Sequence, residues 1–144
     1  MPPTIGAATP PDLAAVFALL ERSQLPSAGL GDHVGSTLVA RDGARIVGSA
    51  AVELYGQAAL LRSVAVAAEH RGQGLGHALT AAALELARQR GVRTVYLLTE
   101  TAAGFFPRFG FRPIPRPEVD PAVLGSAEFT TACPAGALVM VRAL

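Results

Sequence analysis

The sequence predicts a mixed α/β (α+β) domain built around one central sheet, and three observations carry that expectation. Successive β-like runs precede residue 68, two of them joined by Asp42-Gly43, a strong hairpin signal. A glycine-rich stretch, His70-Arg71-Gly72-Gln73-Gly74-Leu75-Gly76, then separates the last of these runs from a long Ala/Leu segment. A β-branched apolar run follows that segment. The order strand, loop, helix, strand implies a right-handed, parallel-type crossover.

Taken in order, Thr4–Ala8 reads as a short first strand. Thr9-Pro10-Pro11-Asp12 reads as a helix start, with a hydroxyl N-cap, proline in the first turn and an early acid. Leu13, Val16, Phe17 and Leu20 keep helical spacing to about Ser23. The stretch 25–36 is a loop or a broken short helix, too rich in glycine for a regular element. Residues 37–55 form two strands around Asp42-Gly43, and Gly56-Gln57 turns the chain into a third run, 58–67. A helix is expected from Leu75 to Arg90, with Gly91 as its C′ residue. Residues 92–99 read as a buried strand that includes Tyr96 as core. Residues 101–110 read as a short helix that takes Pro107 in its first turn. The tail carries a proline-rich stretch and then a strand-like run, 136–144. The expected architecture is a mostly antiparallel sheet with about four flanking helices in one domain, 1–144.

Composition narrows the function. The net charge is +1, which gives no electrostatic reason for a nucleic-acid or membrane partner. Apolar runs are broken by Arg, Gly or Pro well before the roughly 18 residues a membrane span needs. The N-terminal stretch lacks a basic, apolar signal pattern, so a cytoplasmic location is expected. A single cysteine, Cys133, leaves no internal disulfide and no Cys-rich metal site. No spacing among the three histidines suggests a metal, so no metal is expected.

The glycine stretch opens a helix directly after a strand. Amides freed at a helix N-terminus point outward together, and the helix dipole adds to their attraction for an anion. The alternative is a glycine-rich turn with no ligand. A dinucleotide fingerprint is excluded because the glycines fall at 72, 74 and 76, and Arg93 and Thr94 stand where its downstream acid belongs. A P-loop is excluded because the stretch has no lysine. What remains is Arg-x-x-Gly-x-Gly.

With that motif in place, "VAVAAEHRGQGLGHALTAAALELARQRGV" (64–92) resembles the acetyl-coenzyme-A-binding segment of the GNAT superfamily of N-acetyltransferases. "FFPRFGF" (105–111) resembles that family's later Phe-Tyr-x-x-x-Gly-Phe, and the element order matches over essentially the full chain. The resemblance implies acetyl-CoA as co-substrate, its pyrophosphate clasped by the loop Arg71, Gly72, Gln73, Gly74, Leu75 and Gly76. It implies a sheet splayed at the strand before the loop, where Val64, Ala65 and Val66 would meet the pantetheine arm. An amide near Val64 would meet the acetyl oxygen as charge develops on it. Residues 97–116 and 126–140 further resemble N-acetyltransferases encoded with arsenic-resistance genes, whose relatives acetylate amino-acid-like compounds. That implies a small amine substrate, an amino acid or an analogue including arsenic- or phosphorus-containing glutamate mimics.

One departure stands out. The family's tyrosine commonly protonates the leaving thiolate, and Phe106 takes its place here. Water or another side chain does the job, or the thiolate leaves unaided, or the domain binds acetyl-CoA without turnover.

A general base must take a proton from the substrate ammonium before attack. The candidates are Glu100 at a strand end, Glu53 and His33, each with a blander reading. Glu100 could be a helix-initiating acid, Glu53 the polar face of a strand, and His33 a loop residue without a role. Arg62 is the candidate for a substrate oxyanion, next to Ser63 and with Thr99 on the neighbouring strand, because its planar fork suits such groups. Its alternative is a surface arginine opposite Glu53. Ser126, Glu128 and Cys133 could shape the pocket, with Cys133 also readable as a small buried residue. A homodimer through the C-terminal strand stays open.

Overall fold

The computed structural model describes residues 2–132 and 136–144, so Cys133 lies outside the described residues. Seven strands of the described residues form one sheet: β1 (Thr4–Ala7), β2 (Thr37–Asp42), β3 (Arg45–Tyr55), β4 (Ala58–Val66), β5 (Thr94–Thr99), β6 (Arg112–Pro113) and β7 (Leu138–Ala143). Their order is β1-β2-β3-β4-β5-β7-β6, and every neighbouring pair is antiparallel except β4 and β5. Among the described residues three α-helices accompany it: α1 (Leu13–Arg22), α2 (Leu75–Gln89) and the single turn α3 (Pro121–Leu124). The mixed α/β class and the splayed, mostly antiparallel sheet are as the sequence predicts.

Local chemistry explains the boundaries. Gly43 and Gly56 take φ of +63° and +70° in the two hairpin turns, which a side chain resists. At Thr9 the backbone N–H and hydroxyl both donate to the Asp12 carboxylate, at 2.8 and 3.0 Å. The chain enters α1 through a 3-10 turn, Pro10–Asp12. Asp12 also accepts from Arg41 on β2, so this entry is pinned to the sheet. Gly91, at φ +84°, ends α2.

On β4, β5 and β7 successive residues alternate between two apolar clusters, as the pleat requires. Ala59, Leu61, Val95, Leu97 and Met140 face one cluster, which also holds Leu19 and Leu20 of α1 and Leu79 and Ala83 of α2. Leu60, Tyr96, Val139 and Val141 face the other, with Val123 of α3. Helix α2 lies close on β3: a Cβ added at Gly48 would stand 2.7 Å from the Leu79 Cδ1.

The sheet opens where β4 meets β5. The parallel pairing spans only Ala58↔Thr94, Ala59↔Val95 and Leu60↔Tyr96, after which β4 runs on to Val66 and β5 to Thr99 without a partner between them. On its other side β4 carries a bulge, since Ser49 pairs with Ala65 but Ala51 pairs with Arg62. Ser63 sits in this bulge with φ +59°, and its carbonyl accepts from the Ser49 hydroxyl at 2.7 Å. A bulge bends its strand and sharpens the local twist, which is what turns β4 away from β5.

Residues 25–36 take the broken-helix alternative, a 3-10 segment at Leu30–Ser36 kinked at His33. Other expectations shift. The expected helix at 101–110 is a 3-10 turn, Phe106–Phe109, with Pro107 in its first positions. Pro107 lacks the N–H that a longer helix would need, and Gly110 at φ +87° stops it. Strand β6, α3 and the π-helical turn at Glu128–Ala132 had no sign in the local residue pattern.

Candidate active site

The gap between β4 and β5 is a cavity of about 350 Å³. Its walls include Arg62, Ser63, Val64, Ala65 and Val66 from β4, Thr99 and Glu100 from the end of β5, and Arg71, Phe106 and Glu128. These are most of the residues expected at a site.

One set of backbone groups faces this gap, and a second lies beside its end. The Ala67 amide donates to the Val47 carbonyl at 2.8 Å, so Ala67 points its polar groups toward β3. By strand alternation Val66 and Val64 point theirs to the open side. The Val66 carbonyl already accepts from the Arg71 Nε at 3.0 Å, which holds the start of the loop against the end of β4. The second set belongs to α2. Gly74 is its N-cap at φ +82°, Gly72 takes φ +79°, and the first amides of α2 have no intrahelical acceptor. At Gly76 an added Cβ would come 3.6 Å from Val66, so the helix start lies against the end of the open edge. Leu75 is buried and can offer a ligand only its backbone. Gln73, Gly74 and Leu75 line a separate, more open depression with Asp42 and His70 rather than this cavity, and no function rests on it. His70 pairs with Asp42 at 3.1 Å and His77 packs on Phe109, so both flank the loop rather than join it.

Beneath the β4 bulge lies a buried ionic network. The Arg62 side chain is fully buried; its Nη1 donates to Glu53 at 2.8 Å and to the Ala28 carbonyl at 2.7 Å. Its Nη2 donates to the Pro26 carbonyl at 3.2 Å and its Nε to the Ser63 hydroxyl at 3.1 Å. Glu128 stands 3.5 Å from the same Nε. Tyr55 donates to Glu53 at 2.5 Å, and His33 lies 3.7 Å from that carboxylate.

The two carboxylates are driven in opposite directions. Burial alone would raise Glu53, but hydrogen bonds from Tyr55, Arg62 and Ser126 hold it below its ordinary value. Burial pushes Glu128 up to about 7, with Arg62 opposing and Glu53 reinforcing. Tyr55 is pushed up to about 12, by burial and then by its bond to Glu53, so it stays a neutral donor.

Three sequence expectations change here. Arg62 is neither a free oxyanion fork nor a surface residue, because its donors are spent on Glu53, Ser63 and two loop carbonyls. Glu53 is a locked carboxylate, and neither it nor His33 is among the described residues lining the cavity. His33 belongs to the 3-10 segment, its ring edge-on to Tyr55. Glu100 is exposed at the cavity rim. The Thr99 hydroxyl accepts from the Ala102 amide at 3.0 Å and so caps the turn after β5. Phe106 is a buried wall of the cavity, in edge contact with Phe105 and Phe111.

The Glu53–Arg62 pair had a readable signal, since a two-residue turn at Gly56-Gln57 sets Glu53 opposite Leu60 and Arg62 diagonal to it. Glu128 had only the resemblance of residues 126–140 to mark it as able to shape the pocket, and it does line the cavity, but nothing signalled its meeting with Arg62. Among the described residues no group of three or more His, Cys, Asp or Glu could hold a metal ion. No described helix is long and apolar enough to cross a membrane.

Comparison with known proteins agrees with this geometry. The chain is 33% identical over 84 residues to the uncharacterized N-acetyltransferase CT2212 of Chlorobaculum tepidum, covering 58% of this chain and 54% of that protein. It thus spans about half the length of that curated relative. Among solved structures, Rv2747 from Mycobacterium tuberculosis in complex with CoA and NLQ superposes with a TM-score of 0.82 at 25% identity, over 99% of both chains. N-acetylglutamate synthase from Neisseria gonorrhoeae, complexed with coenzyme A and N-acetyl-glutamate, shares the fold with a TM-score of 0.84 at 19% identity, over 99% of this chain and 35% of that one. Residues 33–113, more than half of the chain, match the Acetyltransferase (GNAT) domain, and the chain belongs to that acyltransferase family.

Proposed function

We propose that this chain is an acetyl-CoA-dependent N-acetyltransferase that passes acetyl directly to the amine of a small molecule. The observation that carries this reading is adjacency: the unpaired edge of β4, Leu61 to Val66, ends beside the glycine loop and the N-terminus of α2, with Arg71 bonded to the Val66 carbonyl and Gly76 against the Val66 side chain. Free amides at that end suit a pyrophosphate, and an extended arm can pair with the edge as an added strand would. The Val64 amide, on the open side, is placed to meet the acetyl oxygen when attack puts negative charge on it. The solved structures with CoA support the same co-substrate here.

An amino acid or analogue is the substrate class we propose, supported by the NLQ and N-acetyl-glutamate found with the structures of the same fold. Arg62 does not supply the carboxylate site for it, since its donors are already engaged. The link to arsenic-resistance enzymes rests on the resemblance of residues 97–116 and 126–140 alone.

A second reading, a module that binds acetyl-CoA without turnover, is favoured by one observation. Phe106 presents a phenyl ring to the cavity where a hydroxyl could protonate the departing thiolate. Free-thiol release from acetyl-CoA with a panel of amino acids, their phosphinic and arsinic analogues, and simple carboxylate-free amines separates the two. Release above the no-amine background with any member supports the enzyme. Acetyl-CoA binding without release from any amine supports the module.

A further inference from the structure

We infer that Glu128 is the group that receives the substrate ammonium in this cleft and takes its proton, a role that rests on the N-acetyltransferase reading above. Geometry separates it from the other acids. Glu53 is already engaged: Tyr55 donates to one oxygen, Arg62 to the other, and Ser126 adds a further hydrogen bond. Glu100 is exposed at the rim, where water competes for any bond it makes. Glu128 lines the cavity, is 4% exposed, and among the described residues its carboxylate has one ionic contact, 3.5 Å from the Arg62 Nε. Its amide donates to the Ser126 hydroxyl at 3.2 Å, which fixes the turn that carries it. A buried carboxylate with lone pairs to spare, facing a cavity, is a seat for a cation.

The charges around it give the seat its sign. From β4, Arg62 faces Glu128 and favours its ionised form. From β3, Glu53 opposes it, backed by Tyr55, with His33 of the 3-10 segment beside Glu53. Across the cavity stand Arg71, Thr99, Glu100 and Thr101. Arg62 and Arg71 carry two positive charges against the carboxylates of Glu53, Glu100 and Glu128, so one negative charge is uncompensated when Glu128 is ionised. An arriving ammonium cancels it. Two carboxylates whose environments push them apart divide the work between a permanent ion and a proton carrier: Glu53 and Arg62 are positioning residues, and Glu128 carries the proton.

The step balances. The ammonium gives a proton to the Glu128 carboxylate, leaving a neutral amine and a carboxylic acid. The amine lone pair forms a C–N bond to the acetyl carbon, and the C–S bond then breaks with its electron pair leaving on sulfur. The second nitrogen proton goes to that thiolate. Products are the amide, the free thiol and one proton held on Glu128, which is lost to solvent before the next turn.

The test uses the whole chain, acetyl-CoA and an amine accepted by the wild type. The wild-type kcat/KM should rise with pH through a limb near neutrality, besides the limb at the amine's own ionisation. Glu128→Gln should lower kcat by a factor of about 100 or more and remove the neutral limb, while calorimetry finds acetyl-CoA affinity within about twofold. Added formate should restore part of the rate in Glu128→Ala. Retention of rate and limb in Glu128→Gln, or loss of the limb in Glu100→Gln instead, overturns the assignment.

A readout without turnover keeps the two readings apart. In protein labelled with carboxyl-¹³C glutamate, the resonance missing from Glu128→Gln should titrate near neutrality and shift when a simple primary amine is added. Titration in the ordinary carboxylate range, or no response to the amine, overturns the role of Glu128. Failure of the wild type to bind acetyl-CoA or release thiol overturns the N-acetyltransferase reading instead.

Discussion

Replacing Arg62 by alanine tests how the centre of this molecule is held together. The guanidinium is fully buried, and Glu53, its 2.8 Å partner, is 1% exposed, so neither charge can fall back on water. The substitution leaves the Glu53 carboxylate with hydroxyl donors, Tyr55 and Ser126, but no cation paired at 2.8 Å, and removes the donors to the Pro26 and Ala28 carbonyls. Removing one member of a buried pair typically costs about 3–5 kcal/mol, because the other charge stays desolvated and unpaired. Against a total stability of about 5–15 kcal/mol, that is a large fraction. Urea unfolding followed by circular dichroism should show the midpoint falling sharply with little change in slope. A double variant, Arg62→Met with Glu53→Gln, should recover part of the loss because no bare charge remains. A loss below about 1 kcal/mol, the range for exposed pairs, would refute the buried-network argument and return Arg62 to the list of groups free to grip a substrate anion.

Other consequences are separately measurable. Gly74→Val forces a β-branched residue to φ +82°, so calorimetry should find acetyl-CoA affinity reduced by about tenfold or more, and unchanged affinity removes the loop from the site. Glu128 is raised when folded, so it favours the folded state below its unfolded pKa, and that contribution fades as pH rises from 4.5 through about 7. At about 1.4 kcal/mol per pH unit the loss is about 3 kcal/mol, and Glu128→Gln should flatten that slope in pH-dependent denaturant midpoints. Gly48→Ala puts a methyl 2.7 Å from the Leu79 Cδ1 and 3.3 Å from the Ala40 Cβ, so thermal unfolding should report about 1–3 kcal/mol of destabilisation.

The parts of the fold written in local chemistry were legible. Asp42-Gly43 and Gly56-Gln57 are turns because their glycines take positive φ, and the spacing of Leu75, Leu79 and Leu86 marks α2 because one face must be buried. The glycine loop was legible too, since Gly72 and Gly74 hold conformations that other residues resist. What escaped depends on contacts between distant segments. Nothing in "LLRSVAV" says that Ser63 adopts φ +59°, because the bulge is fixed by its pairing with Ser49 and Ala51. Nothing near Glu128 says that it meets Arg62. The π-helical turn and α3 that carry that segment into place are short, and short helices draw their stability from packing rather than from their own sequence.

The limited pairing of β4 with β5 also bears on how the chain folds. Strands β2, β3 and β4 are joined by tight turns, so their contacts are local and cheap in loop-closure entropy. The β4–β5 and β5–β7 pairings span long stretches of chain and are the slow kind to form. The cleft lies on the seam between these halves, so its two walls come together only after the rate-limiting barrier if the local meander is the nucleus. A ligand that bridges the seam then finds nothing to bind in the transition state. Acetyl-CoA should slow unfolding in stopped-flow chevrons while leaving the refolding rate where it was, making the protein kinetically longer-lived without making it a faster folder.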